Sequence, residues 1–155
     1  MYIDTFSLQF WMAVGTAALC GAIVGFERQI HGKPAGIRTS ILICLGTTVF
    51  IRLGALASLG GGDPARVLAQ VVTGIGFIGA GVMLAREGLV RGVTSAAVIW
   101  MLAAIGCVVG LEQYIAAIVL ALVTVGLLTG VAVLERVIRS LRGGDYGAGD
   151  RADER

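Results

Sequence analysis

The stretch Ala69-Gln70-Val71-Val72-Thr73-Gly74-Ile75-Gly76-Phe77-Ile78-Gly79-Ala80-Gly81-Val82-Met83 decides how this chain is read. It is apolar enough to cross a bilayer, yet it carries four glycines and one amide. In a water-exposed helix each glycine would cost about 1 kcal/mol relative to alanine. At about 100° per residue, Gly74 and Gly81 share one face with Gln70 beside them, while Gly76 and Gly79 fall roughly opposite. A helix thinned on two sides admits close neighbours on both, as small residues do in membranes. The stretch therefore reads as the middle of a helical bundle. Its glycine spacing imitates a dinucleotide fingerprint, but that motif needs a preceding strand and a βαβ unit, and the surrounding sequence supplies neither.

Composition agrees with a membrane setting. Of 155 residues, 57% are hydrophobic and 14% charged, against about 25% charged in soluble domains. The mean hydropathy is +0.90. The length allows one bundle, and a net charge of +2 spread along an apolar chain gives no reason to expect a nucleic-acid partner. Cys20, Cys44 and Cys107 lie inside apolar runs without metal-type spacing and read as small buried hydrophobes. The segment Met1 to Thr5 lacks a basic n-region, so the first apolar run is not read as a removed signal peptide.

Five apolar segments separate at about 6–26, 37–57, 66–84, 93–110 and 113–134. Each is about as long as a helix that crosses roughly 30 Å of hydrocarbon. The expected fold is all-α, an integral membrane bundle of five transmembrane helices over residues 1–142, with a disordered cytoplasmic tail at 143–155. Lys and Arg sort by connection: Arg28, Lys33 and Arg38 in the first, Arg86 and Arg91 in the third, Arg136, Arg139 and Arg142 after the fifth. The N-terminus and the Leu111-Glu112 turn have none, which predicts the N-terminus outside and the C-terminus in the cytoplasm. Asp63-Pro64 opens the third span as a cap and first helical residue. Small-residue pairs four apart, Gly21/Gly25, Gly106/Gly110 and Gly126/Gly130, point to tight helix association within the chain or between copies.

A charge near the bilayer centre is costly, so each one needs a reason. Arg52 is close enough to the outer end of its span to snorkel, or to pair with Asp63 or Glu112. Gln70, about one turn inside the outer boundary, predicts an interhelical hydrogen bond, with a place in a polar pocket as the sharper alternative. The other end of the first span is richer. Glu27-Arg28-Gln29 sits at the membrane edge, followed by Lys33 and Arg38, and Arg91 and Thr94 should arrive on the same side. Anionic headgroup contact is one reading of this polar cluster; docking of a protein partner or a small anion is the other. No acid lies inside a span, whereas a cation path is expected to show acidic rings or carbonyl filters. His31, the single histidine, reads as a solvated loop side chain. No catalytic residue, metal ligand set or cofactor site is expected.

Several motifs together carry a family likeness. Gly25-Phe-Glu-Arg-Gln-Ile-His-Gly-Lys-Pro-Ala-Gly-Ile-Arg38 resembles the first-loop signature of the MgtC/SapB membrane-protein family. Asp63-Pro64-Ala65-Arg66 running into Gln70 to Gly81 resembles its third span, and Arg91 to Ala97 with Trp100, Gly106 and Gly110 its fourth. The likeness covers about Ala18 to Tyr114. It implies a bacterial inner-membrane protein with five spans, linked in many members to low-magnesium adaptation and survival inside host cells. The family role it implies is regulation of other membrane machinery, ATP synthase included. By motif match the resemblance implies Glu27, Arg28, Gln29, Lys33, Pro34, Gly36, Arg38, Asp63, Arg66, Gln70 and Arg91 as the functional positions, with Thr94 beside them; Ser95 stands where the family commonly has threonine. Longer members add a cytoplasmic ACT-like domain, and the residues after Glu135 are too few to form one.

The leading expectation is a non-enzymatic regulator that touches membrane lipids, forms a homo-oligomer (a dimer favoured) and binds another membrane protein. Its helix-packing residues are expected to be Gly21, Gly25, Gly74, Gly76, Gly79, Gly81, Gly106 and Gly110. The runner-up is an ion transporter or channel built by an oligomer around Gln70 and Thr73. A membrane enzyme working through Glu27 comes third.

Overall fold

The computed structural model describes residues 7–58, 61, 63–86 and 89–143, which form α1 (Leu8–Ile30), α2 (Ile37–Ser58), α3 (Pro64–Gly81), β1 (Leu84–Arg86), β2 (Leu89–Arg91), α4 (Val93–Gly110) and α5 (Tyr114–Gly143). Four helices, α1, α2, α4 and α5, are long and apolar enough to cross a membrane, and Ala65–Gly81 is a shorter apolar helix. The expected tail from Gly144 onward lies outside the described residues; Gly143 itself closes α5.

The helix limits follow local chemistry. Ser7 caps α1, its hydroxyl accepting from Phe10 N, and Asp63 caps α3, its carboxylate accepting from Ala65 N at 2.9 Å, with Pro64 next in the chain. α1 runs four residues past the expected limit of its span. It stops at Gly32, whose φ of 61° lets Gly32 N reach Gln29 O and Lys33 N reach Arg28 O. These are the paired bonds of a Schellman ending. The α4–α5 turn ends in the same way, with Glu112 (φ 64°) in the position glycine usually holds. Between α3 and α4 the chain makes a two-stranded antiparallel hairpin, Leu84 opposite Arg91, a feature the apolar periodicity did not announce.

The middle of the bundle is α4. It touches α1, α2, α3 and α5, and over half of its span is buried, 56% against 17% for α5. Its sequence is apolar on every side, the pattern of a helix enclosed by protein. Val98, Ile99, Leu102, Ile105 and Val109 fill the core with Ala13, Ala17, Cys20 and Val24 of α1, Cys44 of α2, and Ala117 and Ala121 of α5. The expectation that Gln70 to Gly81 forms the middle is therefore corrected: α3 packs on α2 and α4 from outside.

The glycines divide accordingly. A Cβ on Gly21 or Gly25 would stand 2.6 Å from the Cα of Ile41 or Ile37 on α2. Further along the same buried face of α2, a Cβ on Gly106 would overlap Thr47 Oγ1, and one on Gly110 would stand 2.8 Å from Ile51 Cβ. The inward face of α2 is thus clamped against glycines of α1 toward its start and glycines of α4 further along. Gly79 is buried with Ala96 as its neighbour, whereas a Cβ on Gly74, Gly76, Gly81, Gly126 or Gly130 would meet nothing within 4 Å from other parts of the described chain. Those glycines leave an outward face instead of receiving a helix of their own chain.

α3 nevertheless runs the full thickness of the bundle. Val67 near its start fills the space beside Gly54 in the last turn of α2, and Gly79 near its end meets Ala96 in the first turn of α4. Its 18 residues rise about 27 Å. Gly21→Ala and Gly106→Ala are each expected to lower stability by about 1–3 kcal/mol through overpacking, while Gly74→Ala is neutral or slightly stabilising. Thermal unfolding in detergent, followed by helical circular dichroism, checks the ranking. Equal losses at Gly74 and Gly106 would contradict the clamp.

Candidate functional site

The inward stripe of α1 is Ala13, Ala17, Cys20 and Val24, at intervals of four, three and four. Continued for one more turn it arrives at Glu27 and Arg28, and because α1 stays helical to Ile30 these charges are carried into the bundle. Glu27 is 6% exposed and Arg28 3%. Desolvation of this degree is tolerated when the charges meet partners. Arg28 Nη2 donates to Ser95 Oγ at 2.8 Å, in the first turn of α4. Arg28 Nη1 lies 3.7 Å from Glu27 Oε2, and His31 Nδ1 lies 3.1 Å from Glu27 Oε1 and 2.8 Å from the Glu27 carbonyl. Glu27 Oε2 and Arg28 Nε are buried without a hydrogen-bond partner, so the pair is only partly satisfied.

These groups line a cavity of about 820 Å³. Its polar side holds Glu27, Arg28, His31, Lys33, Arg91, Thr94, Ser95 and Glu135; its apolar side is α5, through Leu127, Leu128 and Val131. Gly92 starts α4 with φ 92°, and a Cβ there would meet the Val82 carbonyl, so the end of α3 and the start of α4 come together only around a glycine. Gln29 stands beside the cavity and serves α2, its Oε1 accepting from Ile37 N at 3.3 Å.

The expected polar residues therefore form two groups. Glu27, Arg28, Lys33, Arg91 and Thr94 meet at one cavity; Gln29, in the last turn of α1, bonds to the start of α2, and Arg38 lies in the first turn of α2. Asp63, Arg66 and Gln70 belong to the start of α3, at the other end of the bundle. Arg52 at that end pairs with Glu112 at 3.2 Å and donates to the Gln9 carbonyl at 3.3 Å, so Glu112 is its partner and Asp63 caps α3 instead. Gln70 makes no hydrogen bond among the described residues, contrary to the interhelical bond expected of it. It lines a groove of about 360 Å³ between α2 and α3, walled by Phe50, Val67, Gly74 and Ile78.

Two participants escaped the sequence reading. His31 is not a loop side chain in water alone; it closes α1 and bonds back to Glu27, and their four-residue spacing on one helical face was the available signal. Ser95 was legible only as a family position, because its contact with Arg28 joins residues 67 apart. The hydroxyls inside the bundle are occupied by carbonyls: Thr47 reaches Ile43 O, Thr48 reaches Cys44 O and Gly106 O, and Thr124 reaches Leu120 O. Cys20, Cys44 and Cys107 are buried and free, and Cys44 Sγ donates to Leu102 O.

Apolar helices traversing one bundle, with charges gathered at the helix ends, define a multi-pass helical membrane protein. The profile of the MgtC family matches residues 14–137, and the chain belongs to that family. It is 50% identical over 105 residues to "Putative magnesium transporter YhiD" of Escherichia coli strain K12, covering 63% of this chain and 48% of that one. It is 37% identical over 132 residues to "Protein MgtC" of Brucella abortus strain 2308, covering 84% and 55%. Over 99 residues it is 46% identical to "Protein MgtC" of Salmonella typhimurium strain LT2, covering 63% and 42%. The chain spans about half the length of the curated relatives it matches. No solved structure matches it.

Ser95→Ala leaves a buried guanidinium short of its best partner and is expected to cost about 1–3 kcal/mol. Arg28→Ala strands Glu27 and should cost about 3–5 kcal/mol. Lys33→Gln, at an exposed position, should be close to neutral. If unfolding in detergent found Arg28→Ala no worse than Lys33→Gln, the buried pair would lose its structural role.

Proposed function

We propose that this protein is a non-enzymatic regulator in a bacterial inner membrane, linked to magnesium homeostasis and acting through membrane-protein partners and through its own oligomer. In this reading it crosses the membrane five times, with its N-terminus outside and its C-terminus in the cytoplasm. The observation that carries the proposal is where the polar groups sit. The described charges lie at the two ends of the bundle, while its middle is filled by apolar side chains around α4 and by hydroxyls turned to carbonyls. A conducting path for a hydrated, oxygen-seeking cation is expected to need continuous polar lining. The exposed face of α3 that carries Gly74 and Gly81 supports self-association by close helix contact. The basic residues at the α1–α2 turn, at Arg91 and near the end of α5 support the orientation.

A transporter remains the second reading, favoured by the name of the Escherichia coli relative and by the groove at Gln70. Purified protein in liposomes is expected to give no saturable Mg²⁺ flux above protein-free vesicles. Saturable flux abolished by Gln70→Ala would replace the regulator with a transporter. A reporter that is active only in the cytoplasm, fused after Gly143, should be active; an inactive fusion would reverse the orientation.

A further inference from the structure

At the end of the bundle where α1 stops, an uncapped helix start faces a cluster of cations. α4 is 18 residues long, and no side chain caps its first turn, since Gly92 holds the cap position with φ 92°. Such a terminus presents N–H groups and roughly half a positive charge. The same cavity receives Arg28 from α1, Lys33 from the α1–α2 turn and Arg91 from β2. Arg28 is an independent sign of a ligand: the residue is 3% exposed, its guanidinium is anchored to Ser95 Oγ, and its buried Nε has no hydrogen-bond partner among the described residues.

The sign of the ligand follows from the charges. Three cations and a helix N-terminus face two carboxylates, Glu27 and Glu135. Glu27 is already held by His31 at 3.1 Å and lies beside Arg28. A cation entering here would find Glu135 as its one uncommitted acid among three cations. Guanidinium, ammonium, hydroxyls of Thr94 and Ser95, and a helix start together supply many donors within one small volume, which suits an anion of several oxygens. The opposite wall, Leu127, Leu128 and Val131, is apolar, and about 820 Å³ is far more than one inorganic phosphate requires.

We propose that this cavity binds a phosphoryl group, seated on Arg28, Arg91, Lys33 and the start of α4, with the apolar remainder of its carrier lying along α5. The headgroup of an anionic phospholipid and a soluble phosphate share this chemistry. The apolar wall favours the lipid, in keeping with basic pockets between membrane helices elsewhere. The site goes beyond the regulatory reading and stands without it.

The test uses the full chain in detergent. Native mass spectrometry would measure retained phosphatidylglycerol against phosphatidylcholine, and thermal unfolding would be followed with inorganic phosphate against chloride at constant ionic strength. Phosphatidylglycerol is expected to be retained preferentially, and the double variant Lys33→Gln/Arg91→Gln, both at exposed positions, to weaken that retention about tenfold or more. Arg52→Gln, at the far end of the bundle, should leave it unchanged. Displacement of the lipid by inorganic phosphate would support the phosphoryl site and extend it to soluble carriers; retention without displacement would support it with the lipid as the source. Equal retention of both lipids with no phosphate effect would overturn it. So would binding that the double variant leaves intact. Folding of each variant is read from its unfolding temperature, so lost binding is not confused with lost structure.

Discussion

The structure depends on how closely α2 is held. Gly21 and Gly25 bring the α1 backbone against Ile37 and Ile41, and Gly106 and Gly110 bring α4 against Thr47 and Ile51 further along the same face. In a membrane, lipid competes for apolar surface about as well as another helix does. Close packing and a few interhelical hydrogen bonds must therefore do the holding. Here both coincide. Thr48 Oγ1 reaches the Gly106 carbonyl at 2.9 Å, and Cys44 Sγ reaches Leu102 O at 3.3 Å, because no side chain stands between the helices.

That closeness positions the charged end. With α1 and α4 both drawn against α2, the last turn of α1 lies within reach of the first turn of α4, and Arg28 meets Ser95 across 67 residues of sequence. The Schellman ending at Gly32 then turns the chain so that Lys33 lines the same cavity. α3 closes the arrangement from outside, its end joined to the start of α4 by a short hairpin and by the contact of Gly92 with the Val82 carbonyl. The site is thus a product of helix ends, and the bundle's middle is left to packing.

Much of this was legible in the chain. Long apolar runs predicted the spans to within a few residues, since bilayer thickness imposes a length on them, although α5 continues as a helix nine residues past the expected limit at 134. Asp63-Pro64 marked the start of α3 because an Asx cap and a first-turn proline satisfy the same unpaired N–H groups. The end of α1 was harder. Glu27 and Arg28 read as the edge of a span, but the inward stripe Cys20, Val24 continues onto them, and a helix held by packing does not stop where polarity begins. The rank of the helices was also misread. Glycines in α3 suggested a centre, whereas the clearer mark of one was α4, apolar on every side.

What the sequence determined by itself was everything local: helix existence, caps, turns and the sorting of basic residues to particular connections. These depend on neighbours within about one turn and on the thickness of hydrocarbon. It also determined the family, through ordered motifs from Gly25 to Gly110. Tertiary structure alone decided which glycines receive a helix. Gly21 and Gly106 do and Gly74 does not, although all three sit in comparable small-residue patterns. It alone joined Arg28 to Ser95 and enclosed the Glu27–His31 pair in a shared cavity. The physical reason is that a pattern of small or charged residues specifies what a face can accept, and only the packing of the other helices specifies what arrives there.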